Sequence, residues 1–274
     1  MERLKKLIYE RLSHHQLTED QILNLAREYL QVLTLKVIFQ SPHGAALSFM
    51  GGTCLRICYD LKRYSEDLDF CLDGEIKNYD FSKMIEHVKK EMGHLGFSVS
   101  TNTHPEKNVQ KSFLHIAHLP QILNLRSFRR EQKLHIKIEV DQTAISLKDN
   151  ERESHFVNRC GEIYPILKHT LPTLFAGKVL ALLGRPYDRG RDYYDLIWYL
   201  SRQTSLNVDY INRTLKSKKK AYRNQEELFQ KISEKVKAVI PQLILKDIEH
   251  FLEDPSERNW ILRYQEVYSQ LQSE

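Results

Sequence analysis

The sequence predicts an α+β fold, with a mixed sheet flanked by helices over residues 1–150 and a mainly helical portion over 151–274. Three observations carry this. Ile22, Leu25, Ala26, Tyr29, Leu30, Leu33 and Val37 recur at helical spacing. Ile136, Ile138 and Val140 alternate with His135, Lys137, Glu139 and Asp141, the period of a half-buried strand. From about residue 170 onward the apolar pattern is helical almost throughout.

The elements follow in order. Thr18-Glu19-Asp20-Gln21 has the form of a capping box and opens a helix over about 19–39, which Pro42 and Gly44 end. The apolar run from Ala45 to Met50 reads as a short strand, Gly51-Gly52 as a tight turn, and Thr53 to about Asp60 as a helix. Leu68 and Phe70 alternate with Asp67, Asp69 and Cys71, which predicts a second strand. Phe81, Met84, Ile85, Val88, Met92 and Leu95 line one face of a helix over 79–95. Strands are expected over 97–103, 111–119 and 135–141. Beyond 170, one helix carries Leu174, Phe175, Lys178 and Leu182; Pro186 and Gly190 break it, and Arg191 to Leu200 form the next. Tyr193, Tyr194, Trp198, Tyr264 and Tyr268 read as packing residues.

Composition excludes several classes. The chain has 274 residues, 41% of them hydrophobic and 28% charged, as in an ordinary globular protein. Its mean hydropathy is −0.51, with no apolar run of membrane-spanning length. The N-terminal residues lack the apolar core of a secretory signal, so a cytoplasmic setting is expected. Cys54, Cys58, Cys71 and Cys160 form no C-x-x-C pair and read as free thiols rather than a zinc site. The net charge of +5 is compatible with a nucleic-acid partner without indicating one. Two basic clusters are more specific: Arg126, Arg129, Arg130, Lys133 and Lys137, and Arg213, Lys216, Lys218, Lys219, Lys220 and Arg223. Each suits a phosphate backbone, or is simply a solvated face.

Three features carry chemistry. Gly51-Gly52-Thr53 joins a strand to a helix, where bare backbone N–H groups favour an anion. Asp67 and Asp69, two apart on a strand, point from one face, and such close carboxylates call for a cation such as Mg²⁺ between them. Glu139 and Asp141 share one face of a later strand; Glu139 lies deeper in the apolar run and is the better third carboxylate. Lys137, on the same face, speaks instead for a wet face. A Gly-Gly turn, a helix, an Asp-x-Asp strand and a later acidic strand together resemble a nucleotidyltransferase of the DNA-polymerase-β type.

The motifs narrow this. Gly51-Gly52-Thr53-Cys54-Leu55-Arg56 and Arg63-Tyr64-Ser65-Glu66-Asp67-Leu68-Asp69-Phe70 resemble the GGT-x-LR and R-(F/Y)-S-x-DLDF signature of the AbiEii/AbiGii toxin family. A second segment, Lys178 to Arg185 followed by Arg189 to Leu196, is similar to its K-x-x-A-x-x-x-R and RD-x-YDL signature. Met50 departs from it, since many relatives carry lysine there.

The resemblance implies a toxin of a toxin–antitoxin or phage-defence system that uses an NTP with Mg²⁺ or Mn²⁺. MenT-like members transfer nucleotides to the 3′ end of tRNA, which implies an RNA acceptor and, usually, an antitoxin partner. It implies Ser65, Asp67, Lys178 and Asp192 as catalytic residues. Asp67, Asp69 and Glu139 would hold metal, and Gly51, Gly52, Thr53, Arg56 and Lys178 the nucleotide. A salt-bridge network of Lys178, Arg191, Asp192 and Asp195 is the purely structural alternative for the second motif. A protein or small-molecule acceptor, or a non-catalytic binding module, are the other functional readings.

Overall fold

The computed structural model describes residues 2–14, 16–73, 79–105, 108–125, 133–142, 145–216 and 221–273. The chain forms two compact units. The first comprises Met1–Asp60, Tyr64–Leu147 and Glu153–Lys168, and the second Leu61–Arg63, Lys148–Arg152 and His169–Glu274.

The first unit begins with helices α1 (Glu2–His14) and α2 (Glu19–Gln40). Thr18 caps α2 through the predicted capping box, accepting from the Gln21 backbone N–H while Gln21 reaches back to the Thr18 N–H. A single 3₁₀ turn over Gly44–Ala46 follows, so strand β1 (Leu47–Met50) starts later than the apolar run suggests. Helix α3 (Gly51–Tyr59) and strand β2 (Asp67–Leu72) come next. Asp80 caps α4 (Phe81–His94), whose Phe81, Met84, Ile85, Val88 and Met92 are buried as predicted. Strands β3 (Val99–Pro105) and β4 (Val109–Ile116), the short helix α5 (Leu119–Ile122) and strand β5 (Leu134–Asp141) follow.

Among the described residues, the strands belong to one mixed seven-stranded sheet in the order β3-β4-β5-β2-β1-β7-β6. β2 runs antiparallel to β1 and parallel to β5, and β4 is antiparallel to both β3 and β5. Leu68, Phe70, Leu114, Ile136, Ile138 and Val140 point to the buried face, where α2 packs on β5 and α4 on β3 and β4. The opposite face carries the polar alternates, and the candidate site lies there.

The last two strands, β6 (Arg152–Arg159) and β7 (Glu162–His169), lie in a stretch expected to be mainly helical. They extend the sheet, β7 pairing parallel to β1, and Glu153–Lys168 belong to the first unit. Cys160 and Gly161 join them with φ of 54° and 75°. A two-residue turn with both residues left-handed suits a tight hairpin, and Gly161 removes its steric cost at one position.

The second unit is built on helices α6 (Leu171–Gly184), α7 (Gly190–Ser201), α8 (Val208–Leu215), α9 (Gln225–Ala238), α10 (Pro241–Ile248), α11 (Arg258–Leu262) and α12 (Tyr264–Ser273). α7 is central, packed by α6, α10 and α12. Tyr193, Tyr194, Trp198, Tyr264 and Tyr268 are all buried, in keeping with their expected packing role. The Tyr199 ring stacks on Phe175 at 4.4 Å, and Tyr264 donates its hydroxyl to the Tyr193 carbonyl at 2.8 Å. Gly190 is required at the start of α7, because a Cβ there would lie 2.5 Å from the Ile244 carbonyl oxygen.

Candidate active site

The site in the first unit is set by register. In the parallel β2–β5 pair, Asp67 lies beside Lys137, Asp69 beside Glu139, and Cys71 beside Asp141. Period-two alternation puts Asp67, Asp69, Lys137 and Glu139 on one face. Carboxylate oxygens of Asp67, Asp69 and Glu139 all lie within 4.8 Å of one another, and all three residues are half-buried. Glu139 is thus the third member of the cluster, whereas Asp141 stands one step further along the strand.

Three carboxylates this close repel one another unless a cation lies among them. Lys137 supplies one: its ammonium is 2.9 Å from Glu139 Oε2 and 3.4 Å from Asp67 Oδ2. Burial alone would lower the Lys137 pKa. The hydrogen bond to Glu139 and the charges of Asp67, Glu139 and Asp69 outweigh it and hold the amine above its ordinary value. The lysine therefore does not argue for a merely wet face, because it packs into the cluster. Hard oxygen donors at this spacing fit a divalent cation. Oxygens about 2.1 Å from one Mg²⁺ stand roughly 3–4 Å apart, which small rotamer changes would reach.

The Gly-Gly turn proves to be the first turn of α3, with Met50 as its cap. Gly51 adopts φ +79°, and a Cβ there would sit 2.2 Å from Asp69 Oδ2. Only glycine allows the carboxylate to approach the helix start this closely. Gly51→Ala should displace Asp69, weaken Mn²⁺ binding several-fold in a calorimetric titration, and cost about 1 kcal/mol or more of stability for the left-handed backbone. Unchanged metal affinity would show that Asp69 does not need this approach. Thr53 is buried and donates its hydroxyl to the Asp67 carbonyl oxygen, tying α3 to β2. Ser65 is buried just ahead of β2, its carbonyl accepting from Gln31 Nε2 at 3.1 Å.

Arg56 departs from expectation. It is 2% exposed, its Nε 2.6 Å from Glu28 Oε2 and its guanidinium 4.5 Å from the Tyr64 ring centroid. Glu28 also accepts from Arg159 Nε at 2.7 Å. Position 56 falls on the inward side of α3, so this arginine ties the domain together rather than facing a nucleotide.

Lys178 and Asp192 lie together in the second unit. Lys178 Nζ is 2.9 Å from Asp192 Oδ1 and 2.7 Å from Asp195 Oδ2. Asp195 is fully buried and takes a bidentate grip from Arg63, at 2.7 Å to Nε and 2.6 Å to Nη2. Arg185 pairs with the second Asp192 oxygen. The network is thus Arg63, Asp195, Lys178, Asp192 and Arg185, three cations against two anions. The Arg191 guanidinium, which the structural alternative also places in the network, lies 4.6 Å over the Phe251 ring. Arg63 was visible in the sequence only as the first letter of its motif, because its partner is 132 positions away.

Burial would raise the pKa of both aspartates. The charges of Arg63 and Lys178 at Asp195, and of Lys178 and Arg185 at Asp192, override it and lower both. A depressed carboxylate pKa contributes stability above the unfolded value of about 4, and that contribution is lost as pH falls toward the folded values. Urea midpoints should therefore fall between about pH 5 and pH 3. The Asp195→Leu variant should show less of this fall; an equal fall in both would assign it elsewhere.

The basic clusters are only partly described. Arg213 is taken up by Glu151 and Asp209, and Lys137 by the carboxylates. Arg126, Arg129, Arg130, Lys218, Lys219 and Lys220 lie outside the described residues.

Comparison with known proteins bears on this arrangement. A family described as nucleotidyl transferase AbiEii toxin, type IV toxin–antitoxin system, matches residues 34–274. The chain belongs to the AbiEii family. As a member of that family it is a nucleotidyltransferase toxin, and the match takes in the triad and the Lys178 network alike. No curated protein matches it significantly in sequence. Among solved structures it is similar to MenT4, the nucleotidyltransferase toxin Rv2826c of Mycobacterium tuberculosis H37Rv. The TM-score is 0.58 at 16% identity, over 97% of this chain and 89% of that one. It is also similar to JHP933 of Helicobacter pylori (TM-score 0.51, 18% identity, 94% and 96% coverage). A further H. pylori protein, proposed to be a nucleotidyltransferase, gives a TM-score of 0.55 at 18% identity, over 94% and 98%. At these identities the structural likeness establishes the fold, and membership of the AbiEii family establishes the activity class.

Proposed function

We propose that this AbiEii protein uses a divalent metal, Mg²⁺ or Mn²⁺, to transfer an NMP from an NTP to an RNA acceptor, the 3′ end of tRNA, blocking translation. The observation that carries this is the close grouping of Asp67, Asp69 and Glu139 on one sheet face. A divalent cation held there would polarise the α-phosphate and activate the acceptor hydroxyl. Lys137 offsets part of the carboxylate charge and can turn toward phosphate oxygens. Gly51, Gly52 and Thr53 present backbone N–H groups at the start of α3 to an anion. The likeness of the Lys178–Leu196 segment to the family signature supports Lys178 as the lysine that binds the phosphates of the NTP. Asp192 holds its amine in place, and Arg63 and Arg185 add to the positive charge. Ser65 stands at the head of the catalytic strand.

The family's toxin–antitoxin description supports an antitoxin partner; on the tRNA reading the protein would act in the cytoplasm, as part of a toxin–antitoxin or phage-defence system. Among the described residues no helix is long and apolar enough to cross a membrane. The test is incubation with each α-³²P-NTP, Mg²⁺ and total tRNA. Label on tRNA is expected and would identify the nucleotide. Label on a protein band or a small molecule would move the acceptor. Absence of both label and NTP binding would leave a non-catalytic module.

A further inference from the structure

The polar face of the sheet continues beyond the carboxylates. Lys111, Phe113 and His115 on β4 and His135, Lys137 and Glu139 on β5 share one face by alternation, with His104 on β3 beside Lys111. Their neighbours Ser112, Leu114, Ile116, Ile136 and Ile138 are buried on the other side. The aromatic rings form one run across three strands. His104 meets Phe113 edge-on at 6.2 Å, Phe113 lies nearly parallel to His115 at 6.3 Å, and His115 meets His135 edge-on at 4.6 Å. His104 and His135 are exposed, and Phe113 and His115 are half-exposed.

We propose that this face is a stacking platform that receives the single-stranded end of the acceptor RNA and delivers its 3′ hydroxyl to the carboxylates. The proposal rests on the RNA reading above. Three features select that occupant. Aromatic rings exposed or half-exposed on one sheet face can take up unstacked bases of any sequence, whereas a paired duplex offers them none. Lys133, just ahead of β5, adds positive charge for phosphates, while Lys111 and Lys137, 3.9 Å and 2.9 Å from Glu139, offset the carboxylates that would repel them. The run is also continuous with the triad: His135 and Glu139 are four residues apart on β5, about 13 Å along the strand, or about four stacked nucleotide steps. Burial lowers the pKa of both histidines, helped by Lys133 at His115 and by His115, Arg27 and Lys133 at His135, which favours the uncharged ring at each.

The full chain carrying Asp67→Asn, which prevents turnover, would be titrated with a fluorescent RNA decamer ending in CCA and with a blunt RNA duplex. Adding Phe113→Ala or His135→Ala should weaken single-strand binding about tenfold each, the loss of one stacked base. Mn²⁺ affinity and thermal midpoint should not change. A 4-thiouridine near the 3′ end should crosslink to a peptide containing Phe113 or His135. Single-strand affinity unaltered in both variants, with crosslinks elsewhere, would overturn the platform and leave the RNA acceptor standing. No RNA binding by the parent, with label on protein in the transfer assay, would overturn both.

Discussion

Replacing Asp67 by Asn is expected to lower nucleotide transfer by about three orders of magnitude or more. The substitution keeps the shape of the side chain and removes one negative charge from a cluster of three. Two effects add. A carboxylate ligand is lost where the donors already stand within 4.8 Å of one another. Lys137, 3.4 Å from Asp67 and 2.9 Å from Glu139, is left facing a weaker counter-charge and competes better for Glu139. Mn²⁺ titration should therefore show weakened binding in the same variant that loses transfer, while thermal unfolding stays close to the parent. Full activity with normal metal affinity in Asp67→Asn would remove the triad from the mechanism.

Asp195→Leu should have the largest effect on stability, a loss of about 3–5 kcal/mol, because it leaves buried cations without their partner. Arg63 is 1% exposed and Asp195 0%. The arginine would lose both charge-assisted hydrogen bonds, and Lys178 one of its two. Exposed ion pairs cost far less to break, on the order of 0–1 kcal/mol, so urea unfolding separates the two cases. Adding Arg63→Met to the same chain should recover much of the loss, since an apolar pair of similar volume avoids the desolvation cost. A loss below about 1 kcal/mol would mean that the network is solvated in solution.

Much of the candidate site was legible because its chemistry is local. Asp67 and Asp69 share a face whatever the rest of the chain does, since period-two alternation belongs to the strand itself. The same holds for the capping box at Thr18 and the helical stripe of α4. The β6–β7 hairpin was legible in principle, through Gly161 and the alternation of Tyr164 and Ile166, but β6 buries only Val157 of its eight residues and so lacks a clear apolar period. Arg56 was misplaced because a motif position tells which residue type occurs and not which side of the helix it takes.

The sequence by itself determined the α+β class, the family signatures, the paired aspartates and the lysine–aspartate motif, because each depends on residues within a few positions of one another. Only the tertiary structure decided that Glu139 stands beside Asp69, that Lys137 reaches in among the carboxylates, that Arg63 grips Asp195, and that four aromatic rings meet in a run across three strands. Those pairings depend on strand register and helix packing between distant segments. Burial of the whole apolar face settles them at once, and no local spacing records the result.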